Sequence, residues 1–272
     1  MSSALEVAGL TDTGQVREHN EDAIHTDGEL GLLVVADGMG GYKAGEIASA
    51  IAVENIRRMM EEGLPRLERN HTDPDSGFTL ASMLLHEAVV EANAAIFRAA
   101  SEDTRYQGMG TTLVACLYHG DRLSIAHVGD SRMYRLRGGE MQLLTSDHSL
   151  LQELVDRGFY TSEEAEKSLN RNIVTRAMGV EEEVEVDLQE ESVAPGDILL
   201  LCSDGLNDML DEQTIRLTLN KFGDNLGDTA TELVQAANQA GGRDNISVVL
   251  GRISDSPGDR QRWLDRFVDF FS

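Results

Sequence analysis

Short apolar runs and long helix-spaced stretches alternate along the chain. Strand-like segments fall at about 5–10, 31–36, 111–118, 122–128, 132–137, 186–191, 198–203 and 245–252. Two long helical patterns come early. Residues 44–62 carry Ile47, Ile51, Val53 and Ile56 at helix-like spacing, and alanine-rich 79–101 carries Leu80, Leu84, Val89 and Ile96. The segment ERNHTDPDSG (68–77), full of turn residues, joins them. Further helices are predicted at 149–157, 161–167, 211–221 and 226–240; TSEE (161–164) reads as a capping box, with Thr161 the cap and Glu164 reaching back. The close spacing of the strands between 111 and 137 implies antiparallel hairpins. With paired helices flanking them, the pattern predicts two antiparallel sheets packed face to face with helices outside, rather than a parallel doubly wound sheet.

No repeat and no Pro/Gly/Ser linker divides the chain before residue 253, so 1–253 reads as one domain, with a polar, helical excursion at about 147–178. SDSPGD (254–259) then breaks the pattern, and Trp263, Phe267 and Phe271 recur at i, i+4 and i+8 in the tail 254–272. That amphipathic face either packs back on the domain or docks a partner.

The apolar runs end on acid. LLVVADGMGG (32–41) runs straight into Asp37, and ILLLCSDG (198–205) into Asp204. SIAHVGDSR (124–132) ends on Asp130, GGRDNISVVLG (241–251) places Asp244 before a strand, and REHNEDA (17–23) sets Glu21 and Asp22 beside another. A lone Asp-Gly is ordinary turn chemistry, and Asp27-Gly28 in HTDGELG reads as just such a hairpin turn. Recurrence at strand ends far apart in sequence is different. Converging carboxylates repel unless a cation sits among them, and Mg²⁺ or Mn²⁺ prefers such oxygen ligands. Glycine after Asp37 lets the main chain come close and lend a carbonyl.

Composition narrows the choices. A net charge of −25 argues against nucleic acid and anionic membranes as partners. All but three of the 23 basic residues are arginine, which suits a salt-tolerant or GC-rich source as well as any function. Cys116 and Cys202 each sit inside an apolar run, which fits buried free thiols in a reducing cytosol. The N-terminus shows no signal pattern and no apolar run approaches the ~18 residues of a membrane span, so a soluble cytoplasmic protein is expected. His127 and His148 lack ligand partners at metal-site spacing and read as structural, or as supports behind a metal's ligands. The methionines at 59–60 and 83 read as core filler. GMGGYK (38–43) approaches a dinucleotide-binding fingerprint but has Lys43 in the sixth place, and Asp37 would face the pyrophosphate.

With these acids in place, the chain resembles the metal-dependent protein phosphatases of type 2C (PPM), in their compact bacterial form. The stretches that carry the resemblance are REHNED (17–22), ADGMGG (36–41), GMGTTLVA (108–115), HVGDSR (127–132), LTSDHS (144–149), NIVTRAMG (172–179), SDGL (203–206) and GGRDNISV (241–248), in the family's order. The resemblance implies an α-β-β-α sandwich over residues 1–253 with a flap at about 147–178. It implies that Asp37 bridges two Mn²⁺ or Mg²⁺ ions, that the Gly38 carbonyl and the Glu21/Asp22 pair complete one site, and that Asp204 and Asp244 hold the other. Asp130 with Asp204 would form a third, looser site, and Arg17 would clasp the substrate phosphate. It also implies a monomer acting on phosphorylated proteins and opposing a Ser/Thr kinase. Met39 stands where many eukaryotic members carry a histidine general acid; bacterial relatives commonly share the methionine. His19, the nearest histidine in sequence, is then a candidate proton donor, with water the favoured one.

Overall fold

The computed structural model describes residues 5–41, 43–161 and 173–253. The helix predicted at 161–167 and the amphipathic tail 254–272 lie outside the described residues. One sheet is ordered β1 (Leu5–Asp12), β11 (Ile246–Ile253), β10 (Ile198–Cys202), β7 (Arg132–Arg137) and β8 (Glu140–Leu143). The other is ordered β2 (Asp22–Asp27), β3 (Leu32–Met39), β5 (Leu113–His119), β6 (Arg122–Val128) and β9 (Asp187–Ser192), with short β4 (Gly110–Thr111) pairing to the end of β3. Every pairing is antiparallel.

The apolar runs have two faces, and both are buried. Leu32, Val34 and Ala36 of β3 pack with Leu113, Ala115 and Leu117 against helices α1 (Ala44–Gly63) and α2 (Leu80–Glu102). Leu33 and Val35, pointing the other way, meet Met133, Leu199, Leu201 and Val249 of the opposite sheet. On the far side of that sheet, Leu200, Cys202, Val248 and Leu250 pack against α5 (Glu212–Phe222) and α6 (Leu226–Gln239). Three cores thus separate four layers, α-β-β-α, because strands with a period of two must satisfy an apolar partner on each side.

Two expectations change. The apolar set omitted β2, whose residues are all half-buried, and the edge strand β8. Met60 is core, but Met83 on α2 is 39% exposed and fills nothing. α2 also qualifies by length and composition as a membrane span, with a mean hydropathy of 1.3 in its richest window. Its Leu85, Val89 and Ile96 are fully buried in the domain core instead.

Candidate metal centre

Every predicted acid arrives at the same end of the sheets. In the β2–β3 pair Asp22 stands directly opposite Asp37, an arrangement that costs free energy for two like charges. The Asp37 main chain is pinned from the β4–β5 side: its carbonyl accepts from Thr112 N–H and Thr111 Oγ1, and its N–H donates to Thr112 Oγ1. Gly38 lies backbone to backbone with the first turn of α1, since a Cβ there would come within 2.1 Å of the Gly45 carbonyl oxygen. That contact brings the Gly45 N–H onto the Glu21 carboxylate, at a helix N-terminus that favours negative charge. Gly38, the first glycine of the apparent nucleotide fingerprint, therefore serves a close approach of α1 to Glu21.

The second sheet supplies the rest. Ser203 precedes the short helix α4 (Asp204–Asn207) in extended conformation, so Asp204 sits in its first turn at the end of β10. Asp244 precedes β11, and the adjacent Asn245 spreads over the REHNED segment: its Oδ1 accepts from Glu21 N–H, and its Nδ2 donates to the carbonyls of Thr13 and His19. Ser203 and Ser247 both donate to Asp22 Oδ2, at 2.8 and 2.6 Å. Asn245, Ser203 and Ser247 were not singled out in the sequence; a polar residue beside each strand-end acid was the available signal. Asp130 is buried on the β6–β7 turn, where Gly129 has φ of +107° and a Cβ would come within 2.6 Å of the Thr112 Cβ. Thr112 thus braces both Asp37 and the Asp130 turn, through a 2.7 Å hydroxyl contact with Ser131.

Electrostatics expose the cluster's conflict. Burial, followed by the charges of Asp22, Asp204, Asp130 and Asp244, pushes the Asp37 carboxyl well above the usual carboxylate range. Burial, then Asp130 and Asp244, does the same to Asp204. Asp130 is pushed up to about 6 by burial and by Asp147. Burial raises Asp22 as well, although the Ser247 and Ser203 hydroxyls oppose it. Asp22 Oδ1 and Asp204 Oδ1 are buried without a hydrogen-bond partner. Orphaned oxygens among mutually repelling carboxylates are what a hard divalent cation would satisfy, so the donor set fits Mn²⁺ or Mg²⁺. The spread of the acids over five strand ends suits hard ions that complete their coordination with water.

Arg17 lies at the rim, its guanidinium 2.5 Å from Asp244 Oδ2 and within the fields of Asp37 and Glu21. His19 is exposed beside Glu21, and Met39 pairs with Gly110 at the end of β3. Cys116 and Cys202 are buried and free. His127 and His148 lie 4.7 Å apart, ring centroid to centroid, behind the Asp130 turn.

Fold and site together define a four-layer sandwich with a buried carboxylate cluster at one end of its two sheets. The family profile described as Protein phosphatase 2C matches residues 13–247, and the chain belongs to that family. It is 38% identical over 251 residues to the serine/threonine protein phosphatase PstP of Mycobacterium tuberculosis, covering 92% of this chain and 45% of that protein. The chain thus spans less than half of that relative's length. The serine/threonine phosphatase stp of Listeria innocua is 38% identical over 243 residues, covering 88% of this chain and 92% of that one. The crystal structure of the M. tuberculosis phosphatase superposes with a TM-score of 0.81 at 37% identity, covering 92% of this chain and 99% of that one. The PstP catalytic domain has also been solved with two manganese ions; it superposes with a TM-score of 0.79 at 36% identity, over 92% and 99% of the two chains.

Proposed function

We propose that this chain is a metal-dependent protein phosphatase that hydrolyses phosphoserine and phosphothreonine and opposes a Ser/Thr kinase. The observation that carries the reading is the buried set of Asp22, Asp37, Asp130 and Asp204, all driven toward protonation, with two orphaned carboxylate oxygens. Similarity to phosphatases named for serine/threonine activity supports the substrate class.

Glu21, Asp22, Asp37, the Gly38 carbonyl, Asp204 and Asp244 would hold two ions, with Asp37 shared between them. A third, weaker ion is assigned to Asp130 and Asp204. Divalent cations in such a site supply a water of lowered pKa and a positive field for the phosphoryl group. The chain's own residues do the positioning. Asn245 and the two serines hold Glu21 and Asp22 in place, and Thr112 fixes the Asp37 main chain. Arg17 spends one edge of its guanidinium on Asp244 and keeps further N–H donors for a phosphate oxygen. Met39 has no proton to give, so we assign protonation of the leaving alkoxide to solvent water rather than to His19. The net charge of −25 disfavours nucleic acid as a substrate, and the free buried thiols fit a cytoplasmic site of action.

The test is turnover of a phosphothreonine peptide by the purified chain. Activity is expected to vanish in chelator, to return with Mn²⁺ or Mg²⁺, and to fall at least a hundredfold, on the order of losing one metal ligand, in Asp37→Ala, Asp204→Ala and Asp244→Ala. Full turnover in buffer shown metal-free by elemental analysis would overturn the reading.

A further inference from the structure

His148 touches none of the carboxylates assigned to the metals, yet it joins three parts of the molecule. Its N–H donates to the Gly129 carbonyl at 2.7 Å, and the Gly129 N–H donates back to His148 Nδ1 at 3.0 Å. The turn that carries Asp130 is therefore gripped on both of its neighbouring peptide groups. The His148 carbonyl accepts from Thr175 N–H, and Leu150 N–H donates to the Ile173 carbonyl, so the two ends of the 147–178 excursion are zipped together at this residue. On its other edge, His148 Nε2 lies 3.1 Å from Asp187 Oδ2 on strand β9. Arg176 holds the second oxygen of Asp187 at 2.7 Å and Glu185 at 3.0 Å.

His127, His148 and Asp187 bring potential ligand atoms within 4.8 Å of one another, which suggests a cation of their own. The hydrogen-bond pattern argues against it. A backbone N–H can only donate, so His148 Nδ1 must accept from Gly129 and the proton of the neutral ring sits on Nε2. Histidines that bind metal instead donate from the nitrogen that does not bind. The Arg176 guanidinium also lies 3.0 Å from Nε2, where a cation would have to sit. Asp187 is therefore addressed by two donors, and the trio works as a strut.

We propose that His148 is a positioning residue for the weak cation site at Asp130, which it braces through Gly129 while tying that turn to the base of the excursion and to Asp187. The proposal rests on the phosphatase reading above. Because Gly129 tolerates no side chain against Thr112, the turn has no other side-chain anchor of its own at that residue. Loss of the imidazole leaves the Gly129 N–H unsatisfied in a buried place and lets the Asp130 carboxylate drift. Asparagine at 148 can return an acceptor to Gly129 but cannot reach Asp187.

Mn²⁺ binding to the full chain, followed by isothermal titration calorimetry with melting temperatures as a fold control, tests this without reference to turnover. The wild type and Asp130→Asn identify the weak step. His148→Ala is expected to weaken that step about tenfold while leaving the tight steps unchanged, and His148→Asn to recover it to within about threefold. His127→Ala is expected to remove no binding step. Unchanged weak binding in a folded His148→Ala, an Asn variant as impaired as Ala, or a binding step lost in His127→Ala would each overturn the proposal. A wild type that binds no Mn²⁺ at all would instead sink the phosphatase reading, and this proposal with it.

Discussion

Asn245 shows how much of the centre rests on one amide. Its side chain serves three main-chain groups, at Thr13 and at His19 and Glu21 of the REHNED segment, and the residue is only 5% exposed. Asn245→Ala removes all three bonds and is expected to cost about 2–3 kcal/mol and to weaken Mn²⁺ binding. The near-isosteric Asn245→Asp is expected to do no better, since it keeps an acceptor for Glu21 N–H but turns a second oxygen on the Thr13 and His19 carbonyls. Thermal melts with Mn²⁺ titration check both, and a benign Asp variant would show that the Nδ2 bonds carry no weight. Asp37, Asp130 and Asp204 were legible because each ends a strand-like run, and Asp244 because it opens one, whereas Glu21 and Asp22 border a strand with a weak pattern. Asn245, Ser203 and Ser247 were not, because their partners are some 180–230 positions away and nothing local marks a side chain that bonds across such a gap. Arg17 was legible only through family resemblance, and its pairing with Asp244 emerged from the fold.

At the scale of elements, the contact between β3 and α1 sets the geometry. Replacing a helical glycine by alanine ordinarily stabilises a helix by up to about 1 kcal/mol. At Gly45 the sign should reverse, because a Cβ would lie 2.7 Å from the Gly38 carbonyl carbon and 2.9 Å from Glu21 Cδ. Gly45→Ala is expected to lower the melting temperature by several degrees, at about 2–4 °C per kcal/mol for a domain of this size, and to lose metal affinity. A neutral or stabilising result would mean that α1 can shift without disturbing Glu21. The helices and the doubly buried strands were readable because their periodicities are strong. β2 was harder: DAIHTD is half-buried throughout, so neither alternation nor an apolar run announces it, although the Asp27-Gly28 turn after it was read correctly. β8 is a four-residue edge strand with one partner, β7, and Glu140 and Gln142 look like loop. Met83 was misjudged because helix spacing places it near the apolar stripe of α2 without saying how wide that stripe is.

At the scale of the whole molecule, the carboxylate cluster should make stability depend on pH in opposite ways with and without divalent cations. A carboxyl whose folded pKa is raised stabilises most when protonated, and that contribution is lost as pH rises from its unfolded value through its folded one. Asp130 and Asp22, each raised to about 6, lose their contributions by pH 6–7, and Asp37 and Asp204 are raised in the same direction. His127, held down to about 4 by burial, acts oppositely, but only below its unfolded value of 6.5. In chelator the melting temperature is therefore expected to rise as pH falls from 8 toward 6. With saturating Mn²⁺ the slope should flatten or reverse, since the metal needs deprotonated ligands. Differential scanning fluorimetry of the wild type and of Asp37→Asn/Asp204→Asn decides: a slope that survives in the double variant belongs to the net charge of −25 and not to the cluster. The pairing of β1 with β11 bears on a different matter, the order of assembly during synthesis. Leu5 aligns with Ile253, and β11 lies between β1 and β10, so this sheet cannot close until nearly the last described residue has left the ribosome. Asp244 and Asn245 arrive with that closing strand, so the carboxylate cluster is completed only when this segment has been made, however early its other acids emerge.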